Sequence, residues 1–180
     1  MARLKLATVW LGGCSGCHMS FLDMDDWLVD LAGLADVVYS LLVDAKEYPA
    51  GVDVCLVEGA VANEDNDRMI RTVRARTRVV VAFGDCAVTG NVTALRNPLG
   101  GPDLVIGRSY LTPADEGPKL PYSLGVVPPL LDRVRPVHHV VPVDAYLPGC
   151  PPPAAHIRAA VEALVAGRPG DIRGEMIRFG

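Results

Sequence analysis

The sequence has no excess of basic residues and no long apolar stretch. Its 17 lysines and arginines are outnumbered by 21 aspartates and glutamates, which gives a net charge of −4. Nucleic-acid-binding proteins normally carry a basic face, so the charge balance argues against that class. No apolar run approaches the roughly 18 residues that a membrane helix needs, and we expect no membrane insertion.

Export signals are also lacking. The N-terminal segment MARLKLATVWLGG contains neither a twin-arginine pair nor a small-residue cleavage site. We therefore interpret this segment as a first strand and expect a cytoplasmic protein. The cysteines number five, which is odd, so they cannot form a complete disulfide framework. In the cytoplasm, clustered cysteines more often bind metal or do redox work.

The residues that are present predict a globular α/β protein. Half of the 180 residues are hydrophobic, enough for one domain with a real core. Apolar, β-branched runs alternate with segments of helical periodicity. The predicted strands are Leu4–Leu11, Ala35–Val43, Val52–Gly59, Arg78–Gly84 and Val137–Pro148. The predicted helices are His18–Leu34, a helix capped by Asn63 that runs to Arg76, a stretch that starts near Ala87, and Pro151–Gly167.

Strands that alternate with helices indicate a mostly parallel sheet covered on both faces. We predict a flavodoxin-like, doubly wound, five-stranded sheet with the strand order 2-1-3-4-5. Residues 1–180 are expected to form a single domain with a Pro/Gly-rich insertion at about 92–122. A loop of that length is usually functional or faces a partner, and its leucines favour a docking surface.

Four of the five cysteines follow predicted strands. Cys14 and Cys17 come after the first strand, Cys86 after the fourth and Cys150 after the fifth. Because the carboxyl ends of parallel strands share one edge of the sheet, these four thiols can meet in space. Cys55 lies inside a strand instead, where a thiol behaves as a small hydrophobic group.

Four thiolates suit either zinc or an iron–sulfur cluster. Structural zinc sites usually pair two short Cys-x₂₋₄-Cys knuckles, whereas here one pair is joined by two solitary cysteines, which favours iron–sulfur. A catalytic Cys-x-x-Cys disulfide would leave the other two cysteines unexplained. Neighbouring glycines either let the backbone approach a cluster or are ordinary turn residues. They are Gly12, Gly13, Gly16, Gly84 and Gly149.

The histidines offer weaker candidates. His18 follows Cys17 directly, and either a position near a cluster or a surface position at a helix start explains it. His138 and His139 are adjacent in the predicted last strand, so they should point to opposite faces and share no metal.

Four motifs in order, CSGCHMS, VCLVEGAV, GDCAVTGN and PGCPPP, resemble the small subunit of nickel–iron hydrogenases over nearly the whole chain. The resemblance implies that Cys14, Cys17, Cys86 and Cys150 hold the proximal [4Fe-4S] cluster, next to the nickel–iron centre of a large partner subunit. Glu58 matches the glutamate of the family's Glu-Gly loop. It either lines a proton route or bonds backbone amides of its loop.

We expect the protein to have neither the twin-arginine signal nor the cysteine-rich C-terminal domain of the membrane-linked and periplasmic small subunits. It resembles instead the short, one-cluster small subunit of soluble, NAD(P)-coupled hydrogenases. The resemblance implies partner subunits of a diaphorase module, which carry FMN and further clusters and pass electrons to NAD. We expect no flavin on this chain, because cysteines occupy the loop where a flavodoxin would bind phosphate.

Two alternatives stay open. The 20-kDa-type subunit of NADH:quinone oxidoreductase is related, but it typically has two adjacent cysteines where this chain has Cys-x-x-Cys, so the spacing favours hydrogenase. A zinc-stabilised interaction domain is the other. A nickel–iron centre needs thiolates of its own, and all four cysteines outside the core are already assigned to one site. The chain should therefore be an electron relay, with H₂ cleavage in the large subunit.

Overall fold

A five-stranded parallel sheet forms the centre of the molecule. The computed structural model describes residues 3–112, 119–121, 123, 125–174, 177 and 179. In spatial order, the strands are β2 (Ala35–Tyr39), β1 (Leu4–Trp10), β3 (Val52–Glu58), β5 (Thr77–Phe83) and β7 (Ala145–Leu147). All four neighbouring pairs are parallel. The predicted flavodoxin-like order 2-1-3-4-5 is therefore confirmed.

Helices cover both faces of this sheet. They are α1 (Gly16–Leu22), α2 (Trp27–Leu34), α3 (Glu64–Arg76), α4 (Asp85–Thr89), α5 (Asn91–Ala94), α6 (Pro102–Tyr110) and α7 (Ala154–Val165). The predicted cap of α3 is confirmed, because the Asn63 side chain accepts a hydrogen bond from the Asn66 amide at 2.8 Å. Acidic residues in its first turn and arginines in its last turn complement the helix dipole.

The sheet divides the core into two apolar layers. Successive strand residues point to opposite faces, so Leu56 joins the cluster around α1, α2 and α7, while Val57 joins the cluster around α3. Cys55 is fully buried in the second cluster, as its sequence context predicts. With both faces covered, the chain can present ligands at the carboxyl edge of the sheet.

The last predicted strand is wrong over its first half. Val137–His139 form a 3-10 helix, and only Ala145–Leu147 join the sheet. Pro136 and Pro142 flank this segment, and proline cannot donate a hydrogen bond to a sheet. The expectation that His138 and His139 point to opposite faces of a strand is therefore also wrong, and their ring centroids lie 4.6 Å apart.

Three further elements differ from the predictions. The helix expected over His18–Leu34 is broken into α1 and α2 by a turn in which Asp25 has a left-handed backbone. A two-stranded antiparallel sheet, β4 (Val61–Asn63) with β6 (Leu130–Arg135), was not predicted. Residues 92–122 are not a loop throughout, since Pro102 begins α6, a position where proline is favoured. Residues 113–118 and 122 of that segment lie outside the described residues.

Within the described ranges, no helix combines the length and the apolar character that crossing a membrane requires.

Candidate metal centre

Four thiols surround one cavity at the carboxyl edge of the sheet. Cys14 follows β1, Cys17 lies in α1, Cys86 lies in α4 after β5, and Cys150 follows β7. The cavity measures about 60 Å³, several times the ~10–15 Å³ that a water molecule needs. Its lining consists of Cys14, Gly16, Cys17, Glu58, Asp85, Cys86, Gly149, Cys150 and Pro151. The space suits a group of several atoms.

The four thiols differ in burial. Cys17 is buried, Cys86 is half-buried, and Cys14 and Cys150 are exposed. Burial is the main cause that raises the pKa of Cys17 far above its ordinary value, followed by the charge of Glu58 and then by the other three thiols. Burial likewise raises the pKa of Cys86. Thiolates this close disfavour one another, and a bound cation removes that penalty by deprotonating its ligands outright.

No three His, Cys, Asp or Glu side chains among the described residues converge closely enough to share one metal ion. A four-iron cluster makes a different demand, since each cysteine binds a different iron. Thiols spaced around a cavity meet that demand, so the donor set fits such a cluster.

Asp85 joins the loops that carry Cys86 and Cys150. Its buried carboxylate accepts a hydrogen bond from the Gly149 amide at 2.6 Å, and its own amide donates to the Gly149 carbonyl at 2.9 Å. The two loops are thus fixed to each other directly beside their thiols. Sequence reasoning missed this residue, although its place before Cys86 in the GDC motif was the available signal.

Glu58 is buried against α1. Its carboxylate accepts a hydrogen bond from the His18 backbone amide at 3.0 Å and contacts the ring Nδ1 of the same histidine. The backbone amide that Glu58 binds lies in α1, 40 residues away in sequence, whereas the prediction placed such amides in its own loop. His18 is 7 % exposed, so its alternative as a surface residue is wrong. Its Nε2 has no hydrogen-bond partner among the described residues.

Two nitrogen donors point at the exposed thiols. The Gly16 amide lies 3.4 Å from Cys14 Sγ, and the Asn91 side-chain Nδ2 lies 3.4 Å from Cys150 Sγ. Hydrogen bonds to sulfur are one of the means by which a protein adjusts the potential of an iron–sulfur cluster. Sequence reasoning did not single out Asn91, although it ends the motif GDCAVTGN.

The chain also matches the sequence model of a known family. The model of the NADH ubiquinone oxidoreductase 20-kDa subunit family matches residues 14–164, from the first cysteine of the cavity to the end of the last helix. The chain belongs to this family.

The relatives of this chain include hydrogenase subunits. Subunit delta of the NAD-reducing hydrogenase HoxS from Cupriavidus necator is 34 % identical, over 98 % of this chain and 86 % of that protein. One subunit of the F420-non-reducing hydrogenase vhu from Methanocaldococcus jannaschii is 36 % identical over 91 % of this chain. The chain spans only 57 % of that archaeal relative, a little over half its length.

A solved structure gives the same relationship. The chain superimposes on one chain of the crystal structure of an NAD⁺-reducing [NiFe]-hydrogenase in the H₂-reduced state with a TM-score of 0.92. The two are 35 % identical, and the match covers 99 % of this chain and 100 % of the other. The resemblance to small subunits of NAD-coupled nickel–iron hydrogenases is therefore confirmed as a family relationship.

Proposed function

We propose that this chain is the electron-transfer small subunit of an NAD-reducing [NiFe] hydrogenase. The observation that carries the proposal is the arrangement of Cys14, Cys17, Cys86 and Cys150 around one cavity at the sheet edge. These four residues are the proposed ligands of one [4Fe-4S] cluster. When bound, the cluster supplies one-electron transfer between the nickel–iron site of a large subunit and a diaphorase module with flavin, iron–sulfur clusters and NAD.

Different residues of the chain have different roles in holding such a cluster. Cys17 and Cys86 provide the inner ligands, on the side of the cavity that the sheet and α1 shield from water. Cys14 and Cys150 provide the exposed ligands, on the side that a partner can approach. Asp85 fixes the loops, and the burial of Glu58 places one carboxylate beside the cavity. A proton route through Glu58 is a secondary proposal, supported by its contact with His18.

A surface next to the cavity is the proposed contact with the large subunit. We name it the α5–α6 surface. Its exposed apolar residues are Val92, Leu95, Leu99, Leu104 and Tyr110. Exposed apolar patches of this kind mark interaction sites. The surface is anchored to the candidate centre, because the Thr93 hydroxyl donates to the Gly12 carbonyl at 2.9 Å, two residues before Cys14. We place the assembly in the cytoplasm, where NAD is available.

A second candidate has one observation in its favour. The matching family model is that of the 20-kDa subunit of NADH ubiquinone oxidoreductase, so a role as the cluster-bearing subunit of a related complex is the alternative. The Cys-x-x-Cys spacing at Cys14 and Cys17 favours the hydrogenase. A zinc-stabilised interaction domain is the other alternative, and it predicts a colourless protein.

The test is the metal and sulfide content of the complex, purified without oxygen. We expect about four irons and four sulfides for this chain, and an EPR signal of a reduced cluster after dithionite. Cys86→Ser and Cys150→Ser should lose both, whereas Cys55→Ala, a change of a buried thiol outside the cavity, should keep both. One zinc and no iron assigned to this chain would refute the relay. A cluster with no hydrogenase activity in the intact complex would favour the second candidate.

A further inference from the structure

Asn91 has a backbone conformation that few residues other than glycine adopt. It lies at the junction of α4 and α5, directly after Gly90, with φ of 34°. A non-glycine residue in this region is strained and persists where the surroundings require it. Asparagine is among the residues that tolerate it best. The conformation is an outlier, and outliers of this kind cluster at functional sites.

The side chain explains the conformation. The Asn91 Nδ2 donates to Cys150 Sγ at 3.4 Å, across 59 residues of sequence. The backbone amide of Asn91 is held by the Thr89 hydroxyl at 3.2 Å, and α5 is tied to the Cys14 loop through Thr93. These two hydrogen bonds fix the backbone around Asn91, and the side-chain N–H faces the sulfur.

We propose that Asn91 raises the reduction potential of the cluster by stabilising negative charge on the Cys150 thiolate. The inference rests on the proposed function, since it takes Cys150 as a ligand. Reduction adds one electron to the cluster and its thiolates, and no bond forms or breaks. The added charge spreads onto the sulfur ligands, and an N–H dipole aimed at one of them stabilises the reduced state more than the oxidised state.

Two features support this role: the donor is the amide of Asn91, which the fold holds in place, and the sulfur that it faces is exposed. Cys150 is an exposed ligand, so its charge would otherwise be stabilised by water or by the partner subunit. A fixed amide keeps the stabilisation when a docked partner excludes water. Hydrogen bonds to charged groups are stronger than those between neutral groups, and they gain further strength as the local dielectric constant falls. Asn91 is thus a positioning residue. It acts on the cluster through the Cys150 sulfur and does not bind a metal itself.

The test is a potentiometric EPR titration of the intact complex carrying Asn91→Gly or Asn91→Asp. Both replacements accept the left-handed backbone, and both remove the donor. At the wild-type midpoint potential, we expect the reduced-to-oxidised ratio in Asn91→Gly to fall about fivefold, which is about 40 mV for a one-electron couple. Asn91→Asp should shift it further in the same direction, because it adds a negative charge.

Met19→Asp is the control, since it adds a charge at an exposed residue two positions from Cys17, outside the α5–α6 surface, and keeps the Asn91 amide. It should shift the midpoint less than Asn91→Asp does. An unchanged midpoint in Asn91→Gly, with four irons retained, would overturn the inference. Loss of iron in both Asn91 variants would overturn it too, because Asn91 would then hold the cluster in place. A wild-type complex without iron would refute the proposed function itself.

Discussion

At the scale of single residues, Gly84 combines an unusual backbone conformation with close contact to a thiol of the candidate centre. Its φ is +83°, and a Cβ built on it would lie 2.2 Å from Cys17 Sγ. Real Cβ atoms do not approach a sulfur so closely, so any side chain at this position must displace the thiol. The amide of Gly84 also donates to the Leu147 carbonyl at 2.8 Å, which keeps the loop from moving away.

Gly84→Ala is therefore expected to destroy the metal centre. The strained backbone and the clash together should lower the free energy of unfolding by about 3 kcal/mol, and iron binding should be lost. Gly51→Ala is the matched control, because Gly51 has φ of +70° but a Cβ added to it would meet nothing within 4 Å. It should cost only about 1 kcal/mol and keep its iron. Chemical denaturation and iron analysis check both, and full iron in Gly84→Ala would contradict the argument.

Residue types alone predict part of this site. The four cysteines can be found because each follows a predicted strand, and Cys55 can be set apart because it lies within one. Asp85 and Asn91 could not be found in this way, since their partners lie 64 and 59 residues away in sequence. Their roles depend on which loops meet, and only the folded chain shows that.

At the scale of elements, Arg96 and Asn97 tie the α5–α6 segment to the small sheet. The Arg96 guanidinium donates to the carbonyls of Ala62 at 3.1 Å and Leu131 at 2.6 Å. Asn97 makes a hydrogen-bonded pair with both backbone groups of Val134, at 2.8 and 2.9 Å. Burial lowers the pKa of Arg96. The segment that carries Asn91 is thus positioned by β4 and β6.

Arg96→Met should loosen this segment while the central sheet stays intact. The change leaves the carbonyls of Ala62, Leu131 and Asp132 without this donor, which we expect to cost about 1–3 kcal/mol. Amides of residues 91–99 should then exchange faster in hydrogen-exchange measurements. Arg68→Met is the control, because Arg68 makes exposed ion pairs on α3 that contribute at most about 0.5 kcal/mol. Equal protection of residues 91–99 in wild type and Arg96→Met would count against this role of Arg96.

Helices and strands with a strong local sequence pattern could be predicted, whereas strands that form only by pairing with a distant part of the chain could not. The central strands are apolar on both faces, and α3 has its cap and charge pattern, so their sequences suffice. β4 has only three residues and pairs with β6 more than sixty positions away, too short a stretch for periodicity to detect. The Pro/Gly-rich composition predicted a loop where α6 lies. Proline is common in loops and also at the first position of a helix, and Pro102 is in the second situation.

At the scale of the whole molecule, the carboxyl edge of the sheet, which carries the four thiols, and the α5–α6 surface lie next to each other. The hydrogen bonds of Asn91 and Thr93 join α5 to the loops of Cys150 and Cys14, and both of these cysteines are exposed. An electron relay needs such an arrangement, because its cofactor must be shielded from water on one side and close to a partner on the other. This arrangement supports the proposed docking of a partner on the apolar surface beside the cavity.

Leu95→Asp tests this arrangement in the assembled enzyme. Leu95 is 68 % exposed at the end of α5, and a charge there should weaken binding of the large subunit by about 2 kcal/mol, or about thirtyfold in Kd. Leu41→Asp is the control, since Leu41 is 57 % exposed but follows β2 and is not part of the α5–α6 surface. It should change Kd less than about threefold. Titration of purified large subunit against the iron-loaded chain measures both. Equal weakening by the two variants would mean that the large subunit does not distinguish the α5–α6 surface, and the docking proposal would then be wrong.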